Sequence, residues 1–270
     1  LKKDLASLKP ITGEVSSQVR AQYEESPYPR WIYLGLPSRP LPISEVLSDI
    51  GLKLHSCKAN QAKNPSILIA GCGTGQHSIS TASRFLNSKV LAVDLSLSSL
   101  AYAKRKTDEL GATNIKYMQA DILDLGMIGK QFDIIESVGV LHHMKNPLSG
   151  WKVLKDCLKP GGLMKIGLYS ELAREHIVKI RNEIDELGIF PNPKEIKFFR
   201  DTIMKSDKAH HKLIMTSSDF YSMSTIKDLL FHVQEHRFTI PQIDEYIKHL
   251  GLKFCGFEAP KIVSQFQKVF

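Results

Sequence analysis

Short apolar runs alternate with amphipathic stretches between Pro65 and Tyr169. Five predominantly apolar runs predict buried strands, at residues 66–70, 89–93, 115–119, 132–137 and 163–168. Three intervening stretches have apolar residues at three-to-four spacing and predict helices, at residues 76–86, 98–110 and 148–158. This alternation is typical of βαβ units, which build a parallel sheet with helices on both faces. The carboxyl ends of the strands then meet at one edge, where ligands of such sheets bind.

The regions on either side of this core differ from it. Residues 1–64 predict helices interrupted by a Pro-rich joint, and we interpret them as an N-terminal lid segment. The core itself is assigned to residues 65–170. Residues 171–239 predict a mostly helical cap insertion on the substrate side. Residues 240–270 predict a helix at 240–250 and a strand at 252–258 that returns to the sheet.

A glycine-rich loop directly follows the first predicted strand, with the sequence GCGTGQH at residues 71–77. Glycines at alternate positions allow a sharp turn and let a ligand approach the backbone, because no Cβ is present. The helix that begins just beyond the loop presents free N–H groups to a ligand. The alternative is a tight turn that serves packing alone.

Acidic residues follow the next two predicted strands. Asp94 ends the second strand about twenty residues after the loop, where an acid can accept hydrogen bonds from ribose hydroxyls. Asp121 and Ile122 follow the third strand. There the acid can accept a hydrogen bond from an adenine amino group, and the apolar side chain can cover the face of the adenine ring. Each acid alone also suits a helix N-cap. The loop and both acids, in order at successive strand ends, favour a nucleoside site.

Five motifs together resemble the S-adenosylmethionine (SAM)-dependent methyltransferases of the Rossmann-like class. They are GCGTG at 71–75, VDLS at 93–96, ADIL at 120–123, FDIIESVGVLHHM at 132–144 and LKPGGLMKIGLYS at 158–170. The resemblance implies a seven-stranded α/β sheet, SAM as cofactor and S-adenosylhomocysteine (SAH) as product. It implies these cofactor-binding residues: Gly71, Cys72, Gly73, Thr74, Gly75, Gln76, His77, Asp94, Leu95, Asp121, Ile122, Glu136, Ser137 and Val138. The family commonly has an acid two residues before the first glycine, and this chain has Ile69 there.

The outer segments resemble one subgroup of this class, often joined to tetratricopeptide repeats. The resemblance lies in VRAQYEESPYPRW at 19–31, GCGTGQH, and LLFHVQEHRFTIPQI at 229–243. Since the chain begins with Leu, we expect a piece of a longer protein. The residues expected to close over or line the substrate side are Tyr23, Tyr28, Arg30, Trp31, Tyr169, Tyr221 and Arg237. The N-terminal aromatic residues have an alternative role, fastening the first helix to the core.

The pentapeptide HVQEH at 232–236 matches the inverted zinc-protease motif H-x-x-E-H. On a helix, His232 and His236 would share one face. Such proteases need a further carboxylate ligand and a different fold, so we expect no metal here. A metal held by His232 and His236 without peptidase activity is the alternative. His232, Glu235 and His236 are instead candidates for substrate binding or catalysis, with a structural network at a domain joint as the alternative. His142 and His143, which follow the fourth strand, are candidates for the general base.

Composition and charge narrow the functional class. A chain of 270 residues with 43% hydrophobic and 24% charged residues fits one large globular domain. Four scattered cysteines, no secretory signal and no membrane-spanning apolar run favour the cytoplasm without a membrane partner. The net charge of +8 raises the question whether the partner is a nucleic acid. The densest group of basic residues lies at 194–212, but their spacing is that of one solvated face of a helix. After the fourth strand, ESVG replaces the Pro-Pro-aromatic motif frequent in base methyltransferases.

The sequence therefore predicts a methyltransferase that acts on a small molecule or a protein side chain. An RNA methyltransferase and a non-catalytic SAM-binding or interaction module are the alternatives. The acceptor atom and the oligomeric state do not follow from the sequence.

Overall fold

Six parallel strands form one sheet in the order β1-β4-β3-β2-β5-β6. The structure is a computed structural model that describes residues 1–50, 52, 54 and 58–269, apart from the side chains of residues 260, 261, 267 and 269. Cys57, one of the four cysteines, lies outside the described residues. The strands are β1 (Ala6–Ser7), β2 (Ser66–Ala70), β3 (Lys89–Asp94), β4 (Ile115–Gln119), β5 (Phe132–Val138) and β6 (Leu158–Gly167).

Helices cover both faces of the sheet, as the strand–helix alternation predicts. They are α1 (Glu14–Glu25), α2 (Ile43–Ile50), α3 (Gln76–Arg84), α4 (Leu97–Glu109), α5 (Pro147–Asp156), α6 (Glu175–Leu187), α7 (Pro193–Met204), α8 (Ala209–Ile214), α9 (Met223–Phe231), α10 (Ile240–His249) and α11 (Pro260–Val269). Alternate side chains of β2 point to opposite faces. Ile67 and Ile69 pack with α2, α3 and α4, whereas Leu68 and Ala70 pack with α5 and α10. No helix in the described part of the chain has the length and apolar character needed to cross a membrane.

The order of the strands places a ligand crevice at the carboxyl end of β2. The chain runs from β2 outward through β3 and β4 on one side, and returns to β5 and β6 on the other. In open parallel sheets, the crevice at such a reversal is where ligands bind. The five core strands and three core helices predicted from the sequence are confirmed, with shifts of one or two residues at most of their ends. The exception is β6, which begins at Leu158 and not at residue 163 as predicted.

The prediction of a seventh, closing strand is wrong at residues 252–258, which form a loop. Phe254 and Phe257 meet edge to face with ring centroids 4.9 Å apart, and both are half exposed, so this stretch lacks the one-sided burial of a strand. Glu258 pairs with Arg84 and Lys165 instead of joining the β6 edge. Besides the five core strands, the sheet contains β1, which comes from the N-terminal end of the chain and pairs with the carboxyl end of β4.

Helices α6 to α9 form the cap and have a hydrophobic core of their own. Ile180, Ile203, Phe220 and Ile226 are completely buried in it. The cap joins the sheet where Phe238 pairs with the end of the β6 segment: its N–H donates to the carbonyl of Tyr169 over 2.8 Å. The cap therefore lies beside the carboxyl ends of the strands. The boundaries of the lid, core and cap segments remain predictions.

Candidate active site

A cavity of about 450 Å³ lies at the carboxyl ends of β2 to β5, between the sheet, α1 and the cap. This volume is in the range of small-molecule sites. A larger groove of about 1450 Å³ runs along β6 and residues 250–259. The glycine-rich loop and both strand-end acids line the smaller cavity and not the groove, so the smaller cavity is the candidate active site.

The glycine-rich loop has a backbone that other residues rarely adopt. Gly71, Gly73 and Gly75 have φ angles of 81°, 51° and 90°. A Cβ at Gly73 would lie 2.4 Å from the carbonyl oxygen of Tyr28, so glycine lets the N-terminal segment approach the loop. The N–H groups of Gly71 and Cys72 both donate to the carbonyl of Val93 over 2.9 Å. The loop is thus fixed between β3 and the N-terminal segment.

Two strand-end acids face this cavity. Asp94 accepts hydrogen bonds from the N–H of Gly73 over 2.7 Å and from the N–H of Ser96 over 2.9 Å. Burial raises the pKa of Asp94 above its ordinary value, although these N–H donors act in the opposite direction. Asp121 caps a short helix by accepting from the N–H of Leu123 over 3.0 Å. Each carboxylate keeps acceptor capacity for a ligand.

A third acid, Glu136, lies beside the position where the family acid is missing. Glu136 is the partner of Ile69 in the register of β2 and β5. It accepts hydrogen bonds from Thr81 Oγ1 over 2.6 Å and from His77 Nε2 over 2.7 Å. Burial acts to raise the pKa of Glu136, but the His77 and Thr81 contacts outweigh it and lower the pKa. A carboxylate is therefore present one strand away from position 69, connected through His77 to the cavity.

The structure brings ten of the fourteen predicted cofactor residues to the cavity wall. They are Gly71, Cys72, Gly73, Gln76, His77, Asp94, Leu95, Asp121, Ile122 and Val138. The other four lie behind the wall. Thr74 Oγ1 donates to the carbonyl of Pro29, and Ser137 Oγ donates to that of Ala70. Gly75 is the N-cap of α3, and Glu136 has the contacts given above. These residues hold the wall in place.

The N-terminal aromatic residues divide between the two predicted roles. Tyr23 and Tyr28 line the cavity, as expected for a lid. Trp31 is buried and donates from Nε1 to Thr74 Oγ1 over 3.1 Å, which fastens the segment to the loop. Arg30 is exposed and does not line the cavity. Neither Tyr221, which is exposed and donates to the carbonyl of Met215, nor Arg237 reaches the cavity wall.

The prediction that HVQEH is helical is wrong, because α9 ends at Phe231. The backbone of this segment makes tertiary hydrogen bonds instead of helical ones. The N–H of His236 donates to the carbonyl of His142 over 2.7 Å, and that of Val233 donates to Gln22 Oε1 over 3.2 Å. Within the described residues, a group able to hold a metal ion is formed by Glu183, His210 and His211 of the cap, and HVQEH forms none.

The candidate catalytic histidines nevertheless come together in one stack of rings. Tyr169 stacks on His142 at 3.7 Å between ring centroids, and His143 stacks on His232 at 3.5 Å. His142 meets His143 edge-on at 4.2 Å. Glu235 lies behind the stack, paired with Arg174 over 2.6 Å. His236 Nε2 lies 3.0 Å from the side-chain amide of Gln234.

Of the five candidate catalytic residues, His143 is the one that lines the cavity. Its Nδ1 lies 2.6 Å from the carbonyl oxygen of Gln234, which can only accept, so Nδ1 carries the proton. Nε2 keeps its lone pair and bonds to no described residue. Burial lowers the pKa of His143 to about 4, so the ring is neutral at pH 7. His143 thus offers a proton acceptor to the cavity.

Acidification is expected to destabilise the fold below about pH 6.5. Burial, with the neighbouring His143 second, lowers the pKa of His142 and of His232 to about 2. Burial lowers the pKa of His143 to about 4, although the Gln234 hydrogen bond and Glu235 act in the opposite direction. The unfolded chain therefore binds these protons at a higher pH than the folded chain. The contribution of these histidines to the free energy of unfolding is fully present above their pKa in the unfolded chain. It is lost as the pH falls towards their lower pKa values in the folded chain. Each histidine contributes a slope of at most roughly 1.4 kcal/mol per pH unit.

Urea denaturation between pH 7 and pH 5 measures this slope. His142→Gln removes one titrating group and is expected to make the slope shallower, even if the variant is less stable at pH 7. An identical slope in His142→Gln and the unmodified chain would contradict the assignment of a buried neutral ring.

Asp228 of α9 is a cavity residue that the sequence does not reveal. It lies in an ordinary amphipathic helix, DLLF, and no motif marks it. Only the packing of the cap against α1 places it near the strand ends, where Tyr23 donates to its Oδ1 over 2.8 Å. Lys165 of β6 also lines the cavity, and its amino group pairs with Glu258.

Comparison with known proteins supports the interpretation of the core. Residues 67–162 match the family model described as a methyltransferase domain. An uncharacterized protein of Synechococcus sp. is 29% identical over 212 residues, which cover 74% of this chain and 50% of that protein. A ubiquinone biosynthesis O-methyltransferase of Cereibacter sphaeroides is 32% identical over 98 residues, or 36% of this chain and 38% of the relative. The chain thus spans half or less of these relatives.

A solved structure shows the same fold over most of the chain. PKMT2 from Rickettsia typhi in complex with AdoHcy superposes with a TM-score of 0.62 at 19% identity, over 90% of this chain and 50% of that one. Together, the domain match and the relatives show that residues 67–162 are similar to methyltransferases, and the PKMT2 structure shows the same fold.

Proposed function

We propose that this chain transfers a methyl group from SAM to a small molecule or a protein side chain that binds between His143 and the cap. The observation that carries the proposal is one cavity lined by the nucleoside-type acids Asp94 and Asp121 and by a histidine with a free Nε2. The domain match to methyltransferases supports the reaction type.

The residues present fit the cofactor. Asp94 and Asp121 are strand-end carboxylates with lone pairs left for ribose hydroxyls and an adenine amino group. Leu95 and Ile122 add apolar surface for the base. When bound, SAM supplies an electrophilic methyl group on a sulfonium. His77, held by Glu136, is placed to bind the methionine end in the part of the site where Ile69 offers no acid.

The contribution of the protein is orientation, exclusion of water and proton transfer. Tyr23 and Tyr28 cover the cavity from the N-terminal side, and the aromatic faces there favour a positive charge. Nε2 of His143 accepts the proton of the methyl acceptor, while the Gln234 carbonyl stabilises the protonated ring through Nδ1. The surrounding stack of Tyr169, His142 and His232 keeps that ring in place.

The finer assignments remain predictions from the sequence. They are the choice between small molecule and protein side chain, membership of the subgroup joined to tetratricopeptide repeats, and a cytoplasmic location. A small-molecule or protein partner, and not a nucleic acid, belongs to the same proposal.

His143→Gln is expected to lower turnover by roughly 100-fold or more, because a positioned general base contributes about that much. Turnover is measured as SAH formed from SAM with a panel of amines, phenols and thiols. SAH affinity is expected to stay unchanged, since His143 serves the acceptor side. His236→Gln is the matched control: its side chain contacts Gln234 outside the cavity wall and its loss is expected to leave turnover within about twofold.

Equal loss of turnover in His143→Gln and His236→Gln would contradict the role given to His143. If SAH binds but neither the unmodified chain nor any variant forms SAH from SAM, a non-catalytic SAM-binding module is favoured.

A further inference from the structure

The cavity contains one carboxylate that the cofactor site does not use. Among the described residues, three aspartates line it: Asp94 and Asp121 at the strand ends, and Asp228 in the cap. The first two are assigned to the nucleoside. Asp228 is 6% exposed and belongs to α9 of the cap. An almost buried carboxylate needs a compensating partner.

The protein satisfies only one oxygen of Asp228. His232 Nδ1 accepts from the N–H of Gln234, so Nε2 carries the proton and donates to the hydroxyl of Tyr23 over 3.1 Å. Tyr23 in turn donates to Asp228 Oδ1 over 2.8 Å. Oδ2 of Asp228 accepts a hydrogen bond from no described residue. The relay therefore orients the carboxylate and leaves one oxygen for a ligand.

No cation of the described protein forms an ion pair with Asp228, although the charge of Arg174 acts to lower its pKa. The nearby Arg174 is occupied by Glu235, to which it donates over 3.1 and 2.6 Å, and its guanidinium lies on the ring of Tyr169. Lys165 pairs with Glu258. Asp219 adds a second negative charge near Asp228: burial first, with Asp219 among the further causes, raises the pKa of Asp228 to about 6.

The walls around this charge are aromatic. Tyr23, Tyr28 and Tyr169 line the same cavity. Tyr28 also contacts Asp219, since its hydroxyl lies 3.4 Å from Oδ2. A carboxylate with a free oxygen, a second acid behind it and aromatic faces around it is the chemistry that recognises an ammonium group.

We propose that the methyl acceptor is an amine, whose ammonium form is held by Asp228 Oδ2 within the aromatic walls. This inference rests on the proposed function and specifies its substrate class. One proton passes from the ammonium nitrogen to Nε2 of His143, which frees the nitrogen lone pair. That pair forms the bond to the methyl carbon as the methyl–sulfur bond breaks. The electrons of the broken bond stay on sulfur, and the positive charge stays on the methylated nitrogen.

Binding of n-butylammonium and of 1-butanol to the SAH-saturated chain tests this directly, measured by ligand-observed NMR titration. The two probes have similar size and differ in charge. We expect saturable ammonium binding that is at least about tenfold tighter than alcohol binding. Asp228→Asn keeps an acceptor for Tyr23 and removes the charge. It is expected to lose about tenfold in ammonium affinity while alcohol binding and SAH affinity stay unchanged.

Asp108→Asn is the matched control, because it removes the same charge from an exposed residue of α4 that does not line the cavity. Its ammonium affinity is expected to stay within about threefold of the unmodified chain. The inference is overturned if butanol binds as well as butylammonium, or if Asp228→Asn retains the ammonium preference. If Asp228→Asn does not fold, the comparison of the two probes on the unmodified chain decides. Failure to bind SAH would instead overturn the proposed function.

Discussion

Asp94→Ala is expected to weaken SAH binding about 100-fold, since hydrogen bonds to a charged carboxylate are among the stronger ones in a ligand site. The side chain also fixes the glycine-rich loop through the N–H of Gly73 and the β3–α4 turn through that of Ser96. Its removal therefore takes away the carboxylate that is proposed to bind the ribose, and it loosens the loop. Isothermal titration calorimetry with SAH measures the effect.

Asp108→Ala is the control for this variant. Asp108 is an exposed acid of α4 that pairs with Lys104 on the same helix. Its replacement is expected to leave SAH affinity unchanged. An Asp94→Ala chain that binds SAH within about threefold of the unmodified chain would place the ribose elsewhere.

Glu235→Gln is expected to cost about 3–5 kcal/mol in free energy of unfolding, as for other buried ion pairs that lose one partner. The side chain of Glu235 is only 2% exposed and pairs with Arg174 over 2.6 Å. Arg181 and Arg237 lie 3.5 and 3.7 Å from its oxygens. The amide keeps the shape but leaves the guanidinium of Arg174 in a buried place without its counter-charge. We expect the Tm to fall by roughly 6–15 °C.

Asp244→Asn is the matched acid-to-amide change at an exposed pair, Lys248 with Asp244 on α10. It is expected to shift the Tm by no more than about 1 °C, because exposed pairs contribute little. If the Glu235→Gln chain has the same Tm as the unmodified chain, the ion pair with Arg174 does not hold the HVQEH segment in place. The two melting curves are measured by differential scanning calorimetry in the same buffer.

The core of the fold follows from local patterns in the sequence. The strand Ser66–Ala70, the glycine-rich loop and the acids Asp94 and Asp121 are all defined within a few residues of chain, so periodicity and motif spacing reveal them. The glycine positions are required by the φ angles of the loop itself. These features are the ones that the sequence predicts correctly.

The errors arise where distant contacts outweigh local preference. HVQEH has helix-compatible spacing, but hydrogen bonds from its backbone to His142 and Gln22 hold it extended. The predicted closing strand does not form because residues 252–258 are mostly exposed and Glu258 forms ion pairs with Arg84 and Lys165.

The sequence does not reveal the contacts that form only in three dimensions. Tyr23 and Asp228 are 205 positions apart and hydrogen-bonded. Glu136 takes the place next to Ile69 because β5 pairs with β2, which only the strand order reveals. His142 and His143 are equivalent in the sequence, and the Gln234 carbonyl distinguishes them by fixing the tautomer of His143. The general principle is that a site assembled from separate segments leaves no local signal.

A crystal structure of this chain grown with SAH tests the central claim most directly. The account predicts the ribose beside Asp94, the adenine beside Asp121 and Ile122, and the sulfur on the side of His143 and the cap. SAH in the groove along β6, or no bound SAH at millimolar ligand, would contradict it.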